Sequence, residues 1–145
     1  MAEPTSKSSR SRREASKGDH LLRSMIEQVN QGQDNPYITV ISGGIMLSGR
    51  MIGGREFLTQ FERYSDPEHD LGEGFRAMLD QEYPLTAEPN LGDSNADFLH
   101  LSDVWLSGAV NASMYQSAFP YWRVRVTEIS AWTLGQYGAK WQDKK

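Results

Sequence analysis

His20, His69 and His100 are the chain's three imidazoles, and each falls in a different predicted element. No two stand four apart on one helix, the spacing that puts a histidine pair on a zinc ion, and no cysteine is present to complete a site. The lack of cysteine also removes thiol nucleophiles, disulfides and iron–sulfur ligation. His100 alternates with Leu99 and Leu101, so it is predicted to be a sheet residue, partly exposed or hydrogen-bonded, rather than a ligand or base. Asp103, between Leu101 and Trp105, is the carboxylate whose acidity burial could shift, although Ser102-Asp103 reads more simply as a turn or cap. There is no Gly-x-Ser-x-Gly elbow and no phosphate loop ending in Gly-Lys-Ser/Thr. The glycines at 43, 44, 49, 53 and 54 carry a strand through them where a dinucleotide fingerprint would need a helix, so they read as turn and bend residues. No catalytic residue, metal site or cofactor is predicted.

The clustered cations of the folded region are Arg123 and Arg125, which share one face of a predicted strand. Such a pair suits a phosphate or a carboxylate. The nearest anions are in the chain's own acidic segment or in a neighbouring subunit, so structural pairing is expected. That segment, residues 66–97, holds nine acidic side chains against Arg76 alone, a net of −8, and reads as a solvated face of helix and loop. Residues 1–17 carry Lys7, Arg10, Arg12, Arg13 and Lys17 against Glu3 and Glu14, a net of +3, and contain no Leu, Ile, Val, Phe, Tyr or Trp. A stretch of that composition cannot bury enough surface to offset ordering, so residues 1–18 are expected to form a disordered basic arm able to touch an acidic surface. The whole chain has net charge −4, which argues against a general nucleic-acid binder, since phosphate contacts supply most of that affinity. Trp105, Trp122 and Trp132 lie in predicted strands and read as core or interface rather than base-stacking platforms.

The elements that must position these residues follow from periodicity. The chain's 145 residues suit one domain, expected over residues 19–137, with a polar tail at 138–145. No apolar run nears the roughly 20 residues of a membrane helix, and the first residues lack a signal-like apolar stretch, so a cytoplasmic protein is expected. Leu22, Met25, Ile26 and Val29 form one helical stripe after a capping Asp19. Tyr37–Ser42 and Ile45–Ile52 read as strands around a Gly43-Gly44 hairpin, with Gly49 marking a bend. Two helical stripes follow, Phe57 to Tyr64 and Leu71 to Leu79. Phe98–Leu106, Tyr121–Val126 and Ile129–Leu134 complete five strands, with 107–120 as a long connection. The fold class is α+β. Short strands with a tight hairpin and a glycine bend predict a small bent five-stranded antiparallel barrel or half-barrel. The element order resembles an Sm-like barrel with an N-terminal helix and a helical insertion between the second and third strands.

Two stretches are more telling. ITVISGGIMLSGRMIGGREFL (Ile38 to Leu58) comes first; DFLHLSDVWLSG (Asp97 to Gly108) follows, joined by a loop to YWRVRVTEISAWTLG (Tyr121 to Gly135). Their order, with the acidic helical segment between them, resembles the gas vesicle accessory protein GvpU family. The matching pieces are Ser48-Gly49, Phe98-Leu99-His100-Leu101 and Trp122-Arg123. The resemblance implies a cytoplasmic, non-enzymatic accessory of gas vesicles, the protein-shelled, gas-filled compartments, modulating their assembly or clustering. The implied partners are the vesicle shell protein or other accessory proteins. Partner-binding residues are then expected among Arg123, Arg125, Trp105 and Trp122, with Arg10, Arg12 and Arg13 on the arm. Exposed β edges also predict a homo-oligomer, with Trp105 and Trp122 in the contact. The alternative reading is an Sm-like RNA-binding or oligomeric scaffold protein; a small enzyme using His100 and Asp103 is the third. No membrane contact is expected, and nucleic acid is disfavoured as a partner.

Overall fold

The computed structural model describes residues 19–62, 72–83, 96–108 and 113–137. Helix α1 (His20–Asn30) begins where the Asp19 carboxylate accepts the Leu22 N–H at 3.1 Å and ends just before Gly32, whose φ of 81° closes the helix at no steric cost. Strands β1 (Tyr37–Ser42) and β2 (Ile45–Ile52) pair antiparallel, with Ser42 opposite Ile45. The two intervening glycines, at φ 59° and 77°, make the tight turn whose twist matches the strands. Helices α2 (Gly54–Glu62) and α3 (Gly72–Glu82) follow. Strand β3 (Phe98–Ser107) comes next, then the two-residue β4 (Tyr115–Gln116), β5 (Tyr121–Arg125), a 3₁₀ turn at Val126–Glu128 and β6 (Ile129–Leu134).

The sheet runs β4-β3-β2-β1-β6, and β5 also pairs with β3. β5 takes the first half of β3, Phe98 to Ser102, and β4 takes Trp105 and Leu106. The changeover is a bulge. Asp103 adopts φ 52°, a left-handed conformation that aspartate tolerates better than most residues, and two residues of β3 face Gly49 alone on β2. A β-carbon at Gly49 would stand 2.8 Å from the Ser102 carbonyl oxygen, so only glycine lets the two strands approach here. The bend expected from Gly49 and the turn expected from Asp103 are two halves of one feature.

Alternation divides the sheet into two faces. Ile38, Val40, Leu47, Met51, Leu99, Leu101, Val104 and Val124 turn to one side and pack against Leu22, Ile26 and Val29 of α1. α1 is fastened across that face at both sides: the Trp132 indole donates to Asp19 at 3.1 Å, and Arg23 pairs with Asp97 at 2.9 Å. On the other face, Ile52 packs with Phe57 and Leu58 of α2 and with Tyr83 just after α3. The helical insertion therefore covers the outer face of the sheet, opposite α1.

Two expectations are corrected. The sheet has six strands, not five, because Tyr115–Gln116 inside the expected connection pairs with β3. It is also open and not a closed Sm-like barrel: among the described residues no ladder joins β5 to β6. Closure needs the end strands to share a ladder. Here the 3₁₀ turn carries the chain from the β5 edge to the β6 edge, and α1 seals the core face in place of strand-to-strand closure. The expected arm (1–18), the tail (138–145) and most of the acidic segment lie outside the described residues.

Candidate functional site

β5 is an edge strand. It bonds β3 on one side and no described strand on the other. Along its length lies a cleft of about 340 Å³. Consecutive residues Trp122, Arg123, Val124 and Arg125 all line it, so the cleft follows the strand's edge and draws on both of its faces. Its apolar wall comes from Ile45 and Leu47 of β2, Leu106 of β3 and Tyr115 of β4. Glu128 lines it too.

Each side chain in the cleft has a local reason for its position. The Trp122 indole N–H points to the Phe119 carbonyl at 2.9 Å and the Ser117 hydroxyl at 3.0 Å, and its ring meets Phe119 edge-on at 6.4 Å between centroids. That fixes a half-buried aromatic beside two exposed ones, Tyr115 and Phe119. Arg123 and Arg125 point to the outer face, and both are exposed. The Arg123 guanidinium sits 3.6 Å from the centre of the Phe98 ring, and that of Arg125 lies 6.0 Å from the same ring. Stacking of this kind holds a cation in place while leaving its N–H groups free to donate. The expected pairing of these arginines with the chain's own carboxylates is not seen among the described residues, where the ion pairs are Arg23–Asp97 and Arg55–Asp80.

Trp122, Arg123 and Arg125 thus come together as one site. Trp105 does not join them: it stands opposite Ser48 and Gln116, on the other side of the sheet from Leu106. Arg10, Arg12 and Arg13 lie outside the described residues. Sequence reasoning missed the cleft's apolar wall. The available signal was Tyr115, in a stretch read as a long connection.

His100 corrects another expectation. It is buried, at 1% exposure, and neither ring nitrogen has a hydrogen-bond partner among the described residues. Its ring packs against Phe57 at 4.7 Å and Tyr83 at 5.8 Å between centroids. The insertion that covers it lies far away in sequence, which is why strand alternation alone predicted an exposed or bonded residue. Burial, with the nearby Arg123 charge, pushes its pKa down to about 3, so it is neutral at physiological pH. The Tyr83 hydroxyl is also buried, with no hydrogen-bond partner in reach among the described residues, and burial pushes its pKa up against the opposing pull of the nearby Arg123 charge. Asp103 is exposed at the bulge and makes no bond to His100. Among the described residues no group of three His, Cys, Asp or Glu side chains converges to hold a metal ion. No described helix is long and apolar enough to cross a membrane.

The family model for gas vesicle protein GvpU-like matches residues 19–137. The chain belongs to the GvpU-like gas vesicle protein family. No curated protein and no solved structure matches it. Ser48-Gly49 and Trp122-Arg123, two of the three pieces that carry the resemblance, sit at structural joints of this GvpU-like fold. The Ser48 hydroxyl, fully buried, accepts the Tyr137 N–H at 2.9 Å and lies 3.0 Å from Thr39 Oγ1, tying the end of the domain to the sheet. Gly49 makes the close approach to β3. Trp122-Arg123 places one residue on each side of the β5 edge.

Proposed function

We propose that this GvpU-like protein is a cytoplasmic, non-enzymatic accessory of gas vesicles that modulates their assembly or clustering by binding the shell protein or another accessory protein. The family match carries the reading. Two features of the fold support it: a β5 edge left open among the described strands beside an apolar cleft and two arginines that no described carboxylate pairs, and a buried His100 packed against the Phe57 and Tyr83 rings. A basic arm beside an acidic domain adds a second, weaker contact, and two weak contacts on one chain strengthen each other through effective concentration. Buoyant fractionation with purified vesicles tests this: the full chain floats with them, and deleting residues 1–17 lowers the floating share severalfold. Full-length protein left entirely in the subnatant removes the proposal.

Self-association belongs to the same reading, through the β6 edge. β6 bonds only β1 among the described strands, and Leu134 and Tyr137 beside it are exposed. Light scattering should give a mass above the monomer at high concentration; a monomer throughout removes this part.

A further inference from the structure

We propose that the free edge of β5 takes up an extended segment of a partner protein as an added strand, and that the segment it selects alternates acidic and apolar residues. The proposal rests on the accessory reading and gives its contact a chemistry. Three observations carry it. Among the described strands β5 has a ladder on one side only, so its outward N–H and C=O groups face no described strand and can take a new one. The cleft follows that edge, and residues 122–125 line it in succession. The two faces of the edge differ in chemistry: Trp122 and Val124 continue an apolar wall, whereas Arg123 and Arg125 present two positive charges steadied by the Phe98 ring.

A strand added in register would send alternate side chains to opposite faces. One set would enter the apolar cleft against Leu47, Trp122 and Val124. The other set would lie beside Arg123 and Arg125, where carboxylates meet guanidinium groups that no described carboxylate neutralises. Main-chain bonds supply affinity and the two faces supply specificity. An all-apolar strand would leave the arginines unpaired, and a basic one would be repelled. Glu128 also lines the cleft and disfavours a carboxylate beside itself, so the acidic positions are favoured where they face the two arginines.

Fluorescence anisotropy with the full chain tests this. The probe is a dye-labelled octapeptide alternating Glu and Val. The controls are a Lys–Val octapeptide and a Glu–Val octapeptide N-methylated at alternate backbone nitrogens. The Glu–Val peptide should bind, both controls should fail, and the pair R123Q/R125Q should weaken binding at least about tenfold with its circular dichroism unchanged. Binding that ignores peptide charge or N-methylation overturns the proposal. So does the absence of Glu–Val binding up to about 1 mM, a weak but measurable affinity range. A dimer that the R123Q/R125Q pair dissolves would assign the edge to a second copy and also overturn it. Flotation of the same proteins separates the two levels: wild type that floats with vesicles yet ignores the peptide sinks this inference alone, whereas peptide binding without flotation leaves the strand-addition site and removes the vesicle role.

Discussion

Acidifying from pH 7 to pH 5 is expected to destabilise the fold by about 2 kcal/mol through His100 alone. The folded-state pKa of this residue is about 3, against an ordinary value of 6.5. Between those limits the unfolded chain binds a proton that the folded chain refuses. Stability therefore holds above about pH 6.5, where both states are neutral, and falls as pH drops from there toward 3. The physical source is the covering of the imidazole by Phe57 and Tyr83, with neither ring nitrogen hydrogen-bonded among the described residues and Arg123 adding like charge. Replacing His100 with Phe should flatten this part of the pH profile. It should also leave the protein at least as stable at pH 7, because two unpaired buried nitrogens vanish while the ring contact with Phe57 remains. Urea denaturation at several pH values reads both effects. An H100F profile as steep as wild type between pH 6.5 and 5 would mean that other groups carry the acid response.

Gly54→Ala should undock the helical insertion. A β-carbon on Gly54 would run into the Tyr83 ring at Cζ and Cε1. Gly54 is itself held by its N–H bond to the Asn30 side chain at 2.9 Å, which ties the start of α2 to the end of α1. The backbone cannot retreat easily, so the ring must leave. Tyr83 is the buried residue that closes α3 over the outer cluster, and its carbonyl accepts from Arg55 at 2.9 Å. Overpacking and loss of that aromatic contact together should cost about 3 kcal/mol. Hydrogen exchange resolves where the loss falls: protection in residues 72–83 should drop by about two decades while β1, β2 and β3 keep theirs. Unchanged protection of α3 would show that the insertion is held by something other than Tyr83.

These two effects explain why part of the molecule was legible in its sequence and part was not. β1 follows from a run of β-branched residues, β2 from alternation after the Gly43-Gly44 turn and β6 from a change of phase at Thr127-Glu128 with Gly135 after it, so their bounds could be read directly, as could α1 with its Asp19 cap. Local pattern carries such elements because their determinants are neighbours in the chain. β4 has two residues and no periodicity to show, and it forms only because the bulge at Asp103 ends the pairing of β5 and leaves the rest of β3 open. Closure of the sheet was overestimated for a similar reason: a glycine bend is visible in sequence, but whether the end strands meet depends on what fills the space between them, and here α1 fills it. At the site, the Arg123–Arg125 stripe and Trp122 were legible as a strand pattern. Phe98 beneath the arginines and Leu47 and Tyr115 across the cleft come from other strands, so no spacing rule connects them. His100 was misplaced because its cover arrives from an insertion that begins with Gly54.

The central claim is that this GvpU-like chain works by contact with the gas vesicle. Its most direct test is quantitative flotation of the purified full-length protein with intact vesicles at physiological salt. Saturable recovery of the protein in the buoyant layer, reduced in the R123Q/R125Q pair, is the expected result. Recovery no greater than that of an unrelated acidic protein of the same size would contradict it.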